Sequence, residues 1–419
     1  MSDGAPADEP TIDDRRRKRA LAVAFVTLFL DLLGFGIIIP IQPFYAESFG
    51  ATPTVVTLLG ASYSAMQFLF APMWGRLSDR VGRRPVVLLS VAFGAVGFLV
   101  FGLAQSLVML FVARMIAGFG NANLGTVQAL VADVTPGRDR AKAMGLIGAA
   151  FGLGFVFGPV IGGLVGSAFG PAAPAFVSAA FAAINWLLAF ALLPETRRAG
   201  VAAGSTHGFL GLRALGQARA FANVPRLLLI IFVFTTGFSL METSLALFVE
   251  HEFVPPELFG SGAGQRQATR LTTWVLLAVG VTAVIVQGGL IGPLRRRLGE
   301  KSLVVAGAAL CALSFVGIAL VPSYAALFAP IVVLSVGSGV FSPSQSSLLS
   351  RSVDAHQQGV MLGLSQSMSA LGRILGPAVS GLLFERAHGA PFLVGATLLG
   401  AGAAVALGLR PAEPPTSST

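Results

Sequence analysis

The 419-residue chain is poor in charge, in cysteine and in polar aromatics. Lys, Arg, Asp and Glu make up 11% of it, against about 25% in an ordinary soluble domain. So little charge cannot clothe a water-facing surface of this size. One cysteine, Cys311, excludes a disulfide framework and a CxxC metal site. The four histidines, His207, His251, His356 and His388, are scattered over separate polar intervals and offer no metal cluster. No GxxxxGKS or GxxxxGKT string is present, so there is no P-loop with which to use ATP. Glycines such as Gly118 and Gly120 fall inside apolar runs, not between a strand and a helix, and make no nucleotide fingerprint. No enzyme reading survives, and neither a cofactor nor a metal is expected.

What the chain has is apolar length. It is 54% hydrophobic with 32 Phe and 51 Gly, and its mean hydropathy is +0.79. Crossing the hydrocarbon takes about 20 apolar residues as a helix. Runs of that order lie near 21–43, 55–77, 84–104, 106–132, 141–168 and 172–194, and again near 226–249, 271–294, 302–321, 323–350, 357–384 and 389–409. The prediction is an all-α membrane protein with twelve transmembrane helices in two six-helix bundles. The bundles cover 21–194 and 226–410, with a linker at 195–225 and tails at 1–20 and 411–419. The acidic start is predicted to be disordered, and the linker to hold a short amphipathic helix around Phe209–Phe221. RRRKR precedes the first run, but that run is about twice the length of a signal peptide's and no A-x-A-like site follows. It is read as a retained helix. The polar stretch 250–270, with Glu250, His251, Glu252 and Glu257, is the longest loop on its side.

The basic residues set the orientation. The first end, the linker, the last end and every second loop between them carry nearly all the Lys and Arg, whereas the other side has only Arg266, Arg270 and Arg386. The positive-inside rule makes the crowded side, with both termini, cytoplasmic. The same alternation explains the net charge of +9 and argues against nucleic acid as a partner.

The two halves repeat. GRLSDRVGRR from Gly75 reappears as GPLRRRLGEK from Gly292, and GFVFGPVIGG from Gly154 as GRILGPAVSG from Gly372. The two offsets differ by one residue. Such repeats place a substrate between the halves, near the membrane midplane. Charges inside spans are costly in lipid and so face a cavity or a partner. Asp31 in span 1 is a candidate proton carrier, because a carboxyl group in apolar surroundings favours its neutral form. Arg114 in span 4 is its candidate neighbour. Glu242 in span 7 and Arg373 in span 11 either contact substrate or pair with each other. Gln42, Asn121, Gln128 and Gln345 are further candidates for the cavity wall. Gly75, Asp79, Arg80, Gly82, Arg83 and Arg84 read as a charged latch with tight turns. Gly154, Gly158, Pro159 and Gly162 make span 5 pliable and closely packed.

GRLSDRVGRRP resembles the loop 2–3 signature of the major facilitator superfamily, and Arg114 with Gly118 resembles its span 4 motif. GLGFVFGPVIGG resembles the superfamily's antiporter motif. LDLLGFGIIIP and LPET look like the tetracycline/proton antiporter branch of its drug:proton antiporters. The resemblance covers roughly 20–410. It implies a monomeric secondary transporter of a bacterial inner membrane, expelling amphipathic or hydrophobic small molecules against protons by alternating access. It also implies that Asp79 caps a helix of the other half in one state. Tetracycline exporters carry additional acidic and histidine residues in spans 3, 8 and 9, which the corresponding runs here lack. Two other readings are a proton symporter importing a small metabolite and a lipid transporter or flippase.

Overall fold

The computed structural model describes residues 14–135, 140–196, 216–259, 261–353 and 357–409. Within the first half lie α1 (Asp14–Ile38), α2 (Gln42–Glu47), α3 (Pro53–Val81), α4 (Arg83–Gly102), α5 (Leu107–Gly120), α6 (Leu124–Val134), α7 (Arg140–Phe169) and α8 (Ala173–Leu192). The second half holds α9 (Val224–Phe253), α10 (Gly262–Ile285), α11 (Ile291–Ala319), α12 (Tyr324–Arg351), α13 (Gln358–Arg386) and α14 (Ala390–Leu407). Among the described residues there is no strand.

Eleven helical stretches are long and apolar enough to cross a membrane, and one of them, Gly262–Ala319, has 58 residues. At 1.5 Å per residue that is about 87 Å, far more than one bilayer core. A five-residue π-helical turn at Val286–Leu290 joins α10 to α11, and α11 is broken at Gly299, whose φ is 75°. The stretch is therefore two crossings, and the protein has twelve. The fourth crossing is composite, because α5 and α6 are joined by a 3-10 turn at Asn121–Asn123.

The repeat is visible atom by atom. Gly82, which separates crossings 2 and 3, has φ 110°, and its counterpart Gly299 also lies in the left-handed region, which glycine tolerates without Cβ strain. Crossings 4 and 10 begin on the same cap. The Ser106 hydroxyl accepts from Met109 N at 3.3 Å, and the Ser323 hydroxyl accepts from Ala326 N at 3.4 Å. Arginines close the two bundles at the opposite ends. Arg19 donates to the Ala191 carbonyl at 3.1 Å, and Arg226 donates to the Gly408 carbonyl at 3.0 Å. Cations at helix C-termini meet orphan carbonyls and the negative end of the dipole.

Three expectations change. The first helix begins at Asp14, inside the segment 1–20 expected to be disordered, because Arg and Lys are good helix formers and the helix runs on beyond its apolar part. Helix α10 starts at Gly262, not near 271, capped by Ser261. Its polar first turns bury one face through Gly264, Ala268 and Thr269, so the loop there is shorter than predicted. The linker helix expected at Phe209–Phe221 falls mostly outside the described residues.

Among the described residues the halves meet at one end. There α13 lies against α3, with Gly381 N donating to the Thr57 hydroxyl at 3.1 Å and Thr54 N donating to Glu385 Oε1 at 3.1 Å. Helix α7 lies against α10, where a methyl on Gly163 would overlap the Thr273 hydroxyl and one on Gly280 would meet Val156. At the other end Gly75, Gly152, Gly288, Gly289 and Gly363 have nothing within 4 Å of where a methyl would stand. Among the described residues the molecule is shut at one end and open at the other.

Candidate functional site

Between the halves is a cavity of about 1380 Å³. It is walled by α1, α3 and α5–α6 on one side and by α9, α12 and α13 on the other. All four charged residues singled out in the spans line it: Asp31 and Arg114 from one half, Glu242 and Arg373 from the other. Gln42, Asn121, Gln128 and Gln345 line it too. Their arrangement differs from a simple set of ion pairs.

Asp31 is held by amides. Asn185 Nδ2 donates to its Oδ1 at 3.0 Å, and Asn123 is a second amide beside it. Its Oδ2 is buried with no hydrogen-bond partner. Arg114 lines the same cavity as Asp31 but makes no ion pair with it. Arg114 is 5% exposed, and its guanidinium lies over the Tyr63 ring at 4.3 Å and the Phe35 ring at 5.7 Å. Cation–π contact of this kind is strongest where water is excluded. Arg114 Nε is left without a partner.

The break in the fourth crossing shapes this wall. The Asn121 carbonyl accepts from Gln67 Nε2 at 3.0 Å, and Asn121 Nδ2 donates to the Tyr63 hydroxyl at 3.2 Å. Asn123 Nδ2 donates to the Ser90 hydroxyl at 2.6 Å. Side chains thus satisfy groups at a turn where the α-helical ladder lapses.

Across the cavity, the charges of Arg373 and Arg114 both act on Glu242. Neither reaches it within the 4.0 Å of an ion pair among the described residues. Gln345 is 1% exposed and its Nε2 has no partner. Ser338, Ser342 and Ser346, one turn apart along α12, continue this polar face. Phe35, Phe68, Phe234 and Phe238 supply apolar surface. The chamber can hold a guest with a greasy body, a hydrogen-bonding edge and one charged group.

The latch residues sit at the open end. Arg83 is bonded to Asp79 at 2.5 Å and to Asp133 at 3.0 Å, all within one half. In the other half the signs are inverted. Glu300, the counterpart of Arg83, lies 4.0 Å from Arg295 and 3.5 Å from Arg351. Arg80 lies in the last turn of α3, and Arg84 donates to the Phe190 carbonyl at 2.7 Å. The helix cap here comes from Glu195 of LPET. Its carboxylate accepts from Arg83 N at 2.9 Å and Arg84 N at 3.2 Å, placing an anion at the N-terminus of α4. A Cβ at Gly82 would stand 2.5 Å from that carboxylate.

The span 5 glycines face two ways. Gly154, Gly158 and Gly162 receive Leu32, Gly36 and Ile37 of α1, with Pro159 beside Gly36. They therefore tie α7 to its own half, and the contact with the other half is made by Gly163 and Val156. Sequence reasoning missed Tyr63, Asn185 and the capping role of Glu195. The signal for the first was available, since the chain has only three tyrosines and Tyr63 lies inside a span.

Comparison with known proteins points the same way. The family model of the Major Facilitator Superfamily matches residues 24–377 and 259–419. The chain is 31% identical to the tetracycline resistance protein, class C, of Escherichia coli, over 91% of this chain and 95% of that one. It is 28% identical to multidrug resistance protein 1 of Bacillus subtilis (strain 168), over 94% and 96% of the two chains. Among solved structures, the human organic anion transporter MFSD10 (TETRAN) is similar at a TM-score of 0.70 and 26% identity, over 93% of this chain and 99% of that one.

Proposed function

From a chain that belongs to the Major Facilitator Superfamily, we infer a proton-coupled exporter of amphipathic small molecules that works by alternating access. It acts as a monomer in the inner membrane of a bacterium, with both termini in the cytoplasm. The observation that carries this reading is the cavity itself. It lies between the halves, it is sealed at one end by packed glycines, and it holds a carboxyl group with one oxygen free of any hydrogen bond. On the charge pattern the open end is cytoplasmic, so the structure is the inward-facing, substrate-loading form. Asp31 is the coupling group. A proton on it replaces the missing partner, and a substrate competing for the same wall displaces that proton. The similar proteins named for tetracycline and multidrug resistance support export.

The direction of transport is open to direct test. Everted vesicles energised with an inward-acid gradient are loaded with a panel of fluorescent amphiphiles. Gradient-dependent accumulation of at least one compound is expected. Accumulation only when the gradient is reversed means import, and accumulation of labelled phospholipid alone means a lipid transporter.

A further inference from the structure

The shut end contains an acidic pair that the coupling scheme does not use. Glu47 ends α2, and Glu250 lies in the last turns of α9, so the two belong to opposite halves. Helix α2 is docked on the other half by Phe44, which is 1% exposed and clusters with Ala246, Val254 and Ala268. That docking brings the Glu47 and Glu250 carboxyl groups together, close enough for each to act on the other. Glu250 is 4% exposed, and its Oε2 has no partner. Two carboxylates repel, so two carboxyl groups in such contact require a proton between them.

We propose that Glu47 and Glu250 form a proton-binding site on the shut seam, distinct from Asp31, which holds one shared proton while the seam is closed. The proton enters from the solvent at the shut end, bridges the two oxygens, and returns to that solvent when the halves part. It is a gating proton and is not carried across the membrane.

Of the charged groups around the pair, His251 is near enough for its charge to act on Glu250, though it forms no ion pair with it. On α9 the neighbours are His251, whose Nδ1 lies 2.9 Å from the Leu247 carbonyl oxygen, and Glu252, which pairs with His388 at 2.7 Å. On α13 they are Glu385, engaged by Thr54 N, and Arg386. On α10 they are Arg266 and Arg270, and before it Glu257. Helix α3 brings no charge to this end, its first being Arg76. Among the described residues none of these cations pairs with Glu47 or Glu250. Burial, then the Glu250 charge, pushes the Glu47 carboxyl well above the usual carboxylate range. A group raised in the shut form stabilises that form at low pH, and the stabilisation is lost as pH rises through the raised value. Acid at the shut end therefore closes the seam, the direction in which an exchanger loaded from an acidic exterior must move.

The proposal rests on alternating access but not on export or on Asp31. The test accordingly uses neither substrate nor gradient. Labels at Ser48→Cys and Ala263→Cys report the seam in nanodiscs, Cys311 being buried. In the wild type the shut-to-open ratio should fall by up to about tenfold per pH unit, the signature of one proton. E47Q/E250Q should change less than about twofold over the same range, while D31N keeps the wild-type slope. Glu47 is only half-buried, at the end of a short helix, so E47Q alone serves if the double variant fails to fold, and it too should lose the slope. A wild-type seam insensitive to pH, an undiminished slope in E47Q, or a slope abolished by D31N would each overturn the proposal.

Discussion

At the scale of single residues, the cavity separates charges that a sequence reader would pair. Glu242 sits in the field of two arginines and, among the described residues, forms an ion pair with neither; we propose that it moderates a positive region. Arg373→Ala should then weaken anionic compounds at least about tenfold more than cationic ones, roughly 1.4 kcal/mol of discrimination. Glu242→Gln should do the reverse and strengthen anions, because Arg114 and Arg373 lose their counter-charge. Binding titrations with matched anionic and cationic dyes check both. A shift in the same direction from the two variants rules out this arrangement. All four span charges were legible in the sequence, because an ionised side chain in an apolar run is conspicuous. What they touch was not legible. Arg114 rests on Tyr63 and Phe35 and makes no ion pair with Asp31, and Asp31 is held by Asn185, 154 residues away in the chain. Neutral partners of this kind do not stand out in composition.

At the scale of elements, small residues decide which helices move together. Gly158 lets α7 touch α1 inside one half, whereas Gly163 and Gly381 lie on the seam between halves. The same substitution should therefore have two outcomes. Gly158→Ala overpacks a fixed contact and should lower stability by about 1–3 kcal/mol, read as a fall in melting temperature. Gly163→Ala and Gly381→Ala should wedge the shut end and shift the population toward its open form, read as greater cysteine accessibility there. If both seam variants only lower the melting point, the seam is a static contact. The sequence showed twelve runs because lipid demands a minimum apolar length. It placed the start of α10 too late because hydropathy reports where lipid begins, whereas the helix begins at the Ser261 cap. The span 5 motif was recognisable, but a helix apolar all round gives no sign of which face meets which neighbour.

At the scale of the whole molecule, the two halves share a repeat and differ in charge. The Asp79–Arg83–Asp133 cluster and the Arg295–Glu300–Arg351 cluster occupy matching places with opposite signs. When the open end closes, such faces attract each other where identical ones would repel. A shut seam at one end, complementary faces at the other and a charged chamber between them are the parts of a machine that exposes one site alternately to two sides. The central claim is that Asp31 exchanges its proton for substrate within that chamber. Substrate-induced proton release from the purified protein tests it most directly, using a pH indicator in weakly buffered solution. The account predicts release of about one proton per bound substrate near the titration range of the site, and none from D31N that still binds the compound. Undiminished release from D31N, or binding by the wild type with no release at any pH, would contradict it.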